Sequence, residues 1–225
     1  MKRYIPINVH FNHALIQRLP PNHHKIPQIE KDTRKFMSGY RGEVATDYHL
    51  QFLEDKNHHI FRSLRLPYKD IYFQLDTLIL SQQYILLLET KNHSGSIDID
   101  QEQFTRKSMY GEQGYNHPIN QVNEQKERLQ KWLAQRRLPE VPIISIVILI
   151  HSSAIIKSTD PDILNSICKA DNMRNKIPVL TKEFQENLLS TRMLKKIANL
   201  LLKENTPFYP QLERTDGVSQ EDLIR

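Results

Sequence analysis

The chain has 225 residues, 39% apolar and 25% charged, with a formal net charge of +5 and a pI near 9.2. That balance suits one large globular domain or a domain with appendages and argues against a disordered chain, and no run approaches the roughly 18 consecutive apolar residues of a membrane span. The basic excess favours a polyanionic partner without choosing among nucleic acid, anionic lipid and none.

The N-terminus opens with Lys2 and Arg3, but His and Asn interrupt the apolar residues that follow, so a signal peptide is not expected and a cytoplasmic location is. Residues 1–27 are rich in Pro, Asn and His and read as an irregular extension packed on the outside of the domain. His23 and His24 read as solvent-facing residues of a Pro-rich loop. From Ile29 to Leu53, Phe36, Tyr40, Val44, Tyr48 and Phe52 recur every four positions and draw one apolar stripe on an amphipathic helix. Gly39 and Gly42 interrupt that helix, which places a break near Gly39 and a firmer start at Gly42.

Strands follow at "HIFRSLRLP", "IYFQLDTLIL" and "YILLLETKN", and "GSIDIDQEQFTRKS" alternates like a short extra strand or hairpin arm. A helix begins near Pro118, where proline is tolerated in the first turn, with Val122, Leu129, Trp132 and Leu133 on one side. "VPIISIVILI" has the length of a buried strand. Cys168, the only cysteine, excludes an internal disulfide and reads as a structural thiol on a short helix in "ILNSICKAD". "KIPVLT" predicts one more strand, residues 182–204 a closing amphipathic helix, and the segment after Pro207 a polar, fraying tail. The order α-β-β-β-α-β-β-α predicts an α/β fold, a mixed central sheet flanked by helices. Residues 1–35 form the extension, 36–152 the core, and 153–225 a strand and helix that complete the same domain.

The stretch "FQLDTLILSQQYILLLETKN" carries charges where a core hairpin is normally apolar. With a two-residue loop at Gln82 and Gln83, Ser81 pairs with Tyr84 and Asp76 falls opposite Glu89. Directly opposed residues have Cβ atoms about 4.5–5.5 Å apart, and Glu89 and Lys91, two apart, share a face. A three-residue loop would shift this register, and Gln-Gln lacks the glycine that tight hairpins favour. Two ionised carboxylates so close repel unless a cation lies between them. Carboxylates, water and phosphate oxygens are hard ligands for Mg²⁺ or Mn²⁺, and Lys91 is placed to orient or deprotonate a metal-bound water for phosphodiester hydrolysis. The alternative is an ion pair at a strand end.

"GYRGE", "FQLDTLIL", "LLLETKNHSG" and "NHPINQ", in that order, resemble the nuclease-related (NERD) domains of the restriction-endonuclease-like PD-(D/E)xK superfamily, and "QFTR" resembles the stretch after the catalytic strand in some bacterial members. The resemblance implies a restriction-endonuclease-like core and a metal-dependent nuclease. It implies Asp76, Glu89 and the backbone carbonyl of Thr90 as metal ligands, Lys91 as the residue that positions the attacking water, Glu43 as an accessory acid, and Gln121 as a contact to water or substrate. Lys126, Arg128 and Arg106 are the candidate nucleic-acid contacts, the alternative for the helix residues being a charge-mixed solvated face, and His93 and His117 flank the site in sequence. DNA is the favoured substrate. No helix-turn-helix, zinc finger or RNA-binding signature supplies specificity, which points to a partner protein or a DNA structure. The rival reading is a nuclease fold without efficient turnover that binds nucleic acid or a partner.

Overall fold

The computed structural model describes residues 3–53, 58–109, 111–210, 218 and 222–223. Two helices open the chain, α1 (Ile7–Arg18) and α2 (Ile26–His49). Strands β1 (His59–Tyr68), β2 (Ile71–Leu80) and β3 (Ile85–Lys91) then form an antiparallel meander. Three short strands follow, β4 (Ser96–Ile99), β5 (Phe104–Ser108) and β6 (Gly111–Tyr115). After them come α3 (Pro118–Gln135), β7 (Ile143–Leu149), β8 (Ile155–Lys157), α4 (Pro161–Ser166), β9 (Ile167–Lys169), α5 (Met173–Thr181) and α6 (Thr191–Glu204).

The main sheet has the order β1-β2-β3-β7-β9, antiparallel through β3 and parallel from β3 to β9. It is the mixed sheet flanked by helices that the strand and helix signals predict. A second sheet, β6-β5-β4-β8, stands beside it. One face of the main sheet packs against α3 and α6 through Trp132, Leu129, Ile197 and Leu201. The other face packs on Leu50, Met173 and Ile177, with Cys168 of β9 on the same side. Both cores rest on the period-two alternation of β3, where Ile85 and Leu87 enter one and Leu86 and Leu88 the other.

The glycine-free turn at Gln82–Gln83 keeps the two-residue register, with Leu80 opposite Ile85 and Thr77 opposite Leu88. The Ser81 hydroxyl accepts from the N–H groups of Gln83 and Tyr84 and donates to the Tyr84 carbonyl. The Gln82 carbonyl accepts from the N–H groups of Leu188 and Leu189. Side-chain and long-range bonds thus do what a left-handed glycine does in an isolated hairpin.

Several local expectations are corrected. The N-terminal extension contains a helix, α1, whose buried face includes Asn12; its amide donates to Thr33 Oγ1 at 3.0 Å. A polar residue at the centre of the face hides its periodicity. Helix α2 runs unbroken through Gly39, and its buried face is Ile29, Thr33, Gly42 and Thr46 rather than the aromatic stripe. Phe36, Val44 and Tyr48 are exposed, Tyr48 by 69%. "KIPVLT" lies in helix α5, where Met173, Ile177 and Thr181 are buried four residues apart. Cys168 is buried as expected but sits in strand β9, and burial pushes its thiol up to about 12. Residues 182–190 precede α6 instead of belonging to it. Much of the expected tail after Pro207 lies outside the described residues.

Candidate active site

The hairpin ladder ends at Thr77 and Leu88, one pair short of Asp76 and Glu89. The Thr90 N–H, which a longer ladder would use, donates to Asp76 Oδ2 at 2.9 Å. On the opposite edge of β3 the Lys91 carbonyl accepts from Ile150 N–H. Backbone groups of successive strand residues point to opposite edges, so the Thr90 carbonyl faces the Asp76 side.

Glu89 and Lys91 point toward α3. Glu89 is only 2% exposed, and both its oxygens are held, Oε1 by Lys91 Nζ at 2.7 Å and Oε2 by Gln125 Nε2 at 3.1 Å. Lys91 Nζ also donates to Gln121 Oε1 at 2.9 Å. Asp76, Glu89, Lys91 and Gln121 therefore come together. Gln125, not among the residues expected from the sequence, joins them; it sits one helical turn after Gln121, and that i, i+4 spacing is the signal that points to it.

On the other face, α2 lies close to the end of β3 because Gly42 has no side chain: a Cβ there would stand 3.0 Å from Asn92 Cβ. Thr46 Oγ1 is 3.0 Å from Thr90 Oγ1, and Asn92 donates to the Ser38 carbonyl. This approach brings Glu43 toward the hairpin. There it pairs with Arg3 and accepts from the Ser63 hydroxyl at 3.2 Å. Arg3 was not a sequence candidate. Its guanidinium forks onto Asp47 at 3.0 and 3.1 Å and donates to the Asp76 carbonyl, Thr77 and Ser63.

The electrostatics follow from crowding acids in a dry place. Burial, and then the charge of Asp76, pushes both Glu43 and Glu89 up to about 7, with Arg3 opposing the shift at Glu43 and Lys91 opposing it at Glu89. Burial raises Asp76 as well, against the Thr90 N–H, Lys91 and Arg3. His93 is packed against the rings of Tyr115 and Phe104, and burial with Arg106 and Lys91 nearby lowers it to about 4. His117 is turned to another task, capping α3 by accepting from Asn120 N–H.

Among the described residues no group of three or more His, Cys, Asp or Glu side chains is arranged for a metal. A cation here would rest on Asp76, Glu89, the Thr90 carbonyl and water, the small oxygen set that Mg²⁺ takes while keeping several waters. The donor chemistry fits such an ion, and the mutual repulsion of the two acids favours one. Of the three basic candidates, Arg106 is held by Ser94 and Arg128 by Glu124, while Lys126 has no polar partner among the described residues.

A mixed sheet whose hairpin presents Asp76 beside a Glu-x-Lys pair, with a glutamine from the following helix, defines a nuclease-like domain of the restriction-endonuclease class. The family model described as the nuclease-related domain, NERD, matches residues 38–150, half of the chain, and the chain belongs to that family. No curated protein matches the chain, and neither does any solved structure. Among the described residues no helix is long and apolar enough to cross a membrane.

Proposed function

We propose that the chain is a metal-dependent nuclease that hydrolyses phosphodiester bonds, in DNA by preference, at Asp76, Glu89 and Lys91. The observation that carries this reading is the bridge of Lys91 between Glu89 and Gln121, next to the Asp76 carboxylate pinned on Thr90 N–H. A bound Mg²⁺ or Mn²⁺ offsets the charge of the phosphodiester and acidifies water. Asp76, Glu89 and the Thr90 carbonyl would hold the ion.

The remaining residues act around it. An ammonium has three donors, and Lys91 commits two of them to Glu89 and Gln121. The third is available to orient the attacking water. Gln121 spends its carbonyl oxygen on Lys91 and keeps its amide for substrate. Glu43 is an accessory acid that acts through its pair with Arg3. Lys126 is the best placed of the basic candidates to meet a phosphate, and such contacts weaken steeply with salt. In this reading target choice comes from a partner protein or a DNA structure, and the activity is cytoplasmic, in keeping with a single buried thiol.

The test is a plasmid and oligonucleotide digest with Mg²⁺ and with Mn²⁺, beside Glu89→Ala and Lys91→Ala. Metal-dependent cleavage that both substitutions abolish is expected, and cleavage that survives both would overturn the assignment. Salt-sensitive DNA binding without cleavage would favour the rival, a nuclease fold that binds without turnover.

A further inference from the structure

We propose that Arg3 is a positioning residue, a fixed internal cation that withholds Glu43 from metal binding and limits the site to one divalent ion. The inference rests on the reading that Asp76 and Glu89 hold such an ion.

Arg3 lies outside the segment that the family model matches. Its side chain is only 3% exposed. All five N–H positions of its guanidinium have acceptors, shared among Glu43, Asp47, Ser63, Thr77 and the Asp76 carbonyl. The strand pairing makes room for it. Arg62 pairs with Thr77 and Leu64 with Leu75, while Ser63, opposite Asp76, takes a left-handed φ of 53° and leaves the ladder. The Asp76 carbonyl, released from a strand partner, accepts from Arg3 at 3.2 Å.

Two-ion hydrolases hold their ions roughly 3.5–4 Å apart between shared carboxylates. Here the acid that would complete a second position beside Asp76 is Glu43, and a guanidinium already joins Glu43 to the backbone of Asp76. Arginine keeps its charge at any relevant pH, so the position stays filled by a cation. The charge count agrees. Among the described residues, the acids Glu43, Asp47, Asp76 and Glu89 face the cations Arg3, Arg62 and Lys91, which leaves one net negative charge when all are ionised. One divalent ion reverses that sign and a second would accumulate positive charge. Displacing Arg3 would strand its charge away from water, a buried cation without its partners.

The experiment is calorimetric titration of Mn²⁺ into the metal-free full chain, with bound Mn²⁺ counted independently by electron paramagnetic resonance. One ion per wild-type chain is expected, one for Arg3→Lys, and two for Arg3→Ala, the second lost again when Glu43→Gln is added. Two ions on the wild type, or one on Arg3→Ala, overturns the inference. Should Arg3→Ala fail to fold, Glu43→Gln alone decides: an unchanged count and affinity supports the inference, and a loss of binding shows Glu43 to be a ligand and overturns it. Absence of any Mn²⁺ binding to the wild type would overturn the metal-site reading and the inference with it, whereas two ions would overturn the inference alone.

Discussion

Asp76 accepts the backbone N–H of Thr90 at 2.9 Å, just past the point where their two strands cease to pair. An acid thus replaces a ladder partner. Two substitutions separate the roles. Asp76→Asn keeps an acceptor for Thr90 and removes the charge that raises Glu89, so the metal-free protein should melt at or above the wild-type temperature. Asp76→Ala leaves the Thr90 N–H without its acceptor, at a cost of about 1–3 kcal/mol. Both should lose Mn²⁺ binding. Thermal melts and Mn²⁺ titration of the pair check this, and equal destabilisation by both would refute the charge argument.

Glu89 predicts a pH dependence with a definite sign. Burial and Asp76 raise it from the ordinary 4.5 to about 7, so between those values the folded chain holds a proton that the unfolded chain releases. Stability of the metal-free protein therefore falls as pH rises through that window, by roughly 3 kcal/mol from this group. His93 acts in the opposite sense, because its lowering to about 4 adds stability as pH rises toward 6.5. The difference between wild type and Glu89→Gln isolates the carboxylate. The wild-type melting temperature should drop relative to Glu89→Gln from pH 5 to pH 8, and Mg²⁺ should restore it at the upper end. Parallel melting curves across that range would count against the raised carboxylate.

The hairpin was legible because its information is local. Ser81 and Tyr84 fix the register, and Glu89 and Lys91 share a face by period two. Gln121 follows from Pro118 opening α3. Arg3 was not legible. Its partners lie 40 to 74 residues away, and no local pattern announces them. The stripe from Phe36 to Tyr48 misled for a physical reason: α2 buries small residues, Gly42 and Thr46, to approach the strand, and leaves its aromatics outside. "KIPVLT" reads as a strand from its composition, and the spacing of Met173, Ile177 and Thr181 overrides that preference.

Lys91 and Gln125 hold the two oxygens of one buried acid, and their removal should separate chemistry from stability. Lys91→Ala deletes the group proposed to orient water and should slow cleavage by about 10²-fold or more. Gln125→Leu keeps Lys91 but withdraws a donor from Glu89 Oε2, which should destabilise the fold by about 1–3 kcal/mol. Cleavage by Gln125→Leu should fall less than by Lys91→Ala. Single-turnover cleavage and urea unfolding of both variants measure the two effects, and a larger catalytic loss at Gln125 would reverse the assignment.

The two glycines of α2 should respond in opposite directions to the same substitution. A Cβ at Gly39 meets nothing within 4 Å. Gly39→Ala therefore gains helix propensity alone, about 1 kcal/mol, and should raise the melting temperature with cleavage unchanged. A Cβ at Gly42 would stand 3.0 Å from Asn92 Cβ and 3.5 Å from Thr90 Cγ2, beside the residue whose backbone fixes Asp76. The Asn92 contact is tighter than ordinary packing, so α2 or the end of β3 must give by a few tenths of an ångström. A shift of α2 carries Glu43, on the same helix, relative to Arg3. Gly42→Ala should forfeit the propensity gain, lower the melting temperature, and reduce cleavage together with Mn²⁺ affinity. Stabilisation at Gly42 equal to that at Gly39 would show that the close approach of α2 to β3 does not hold the site together.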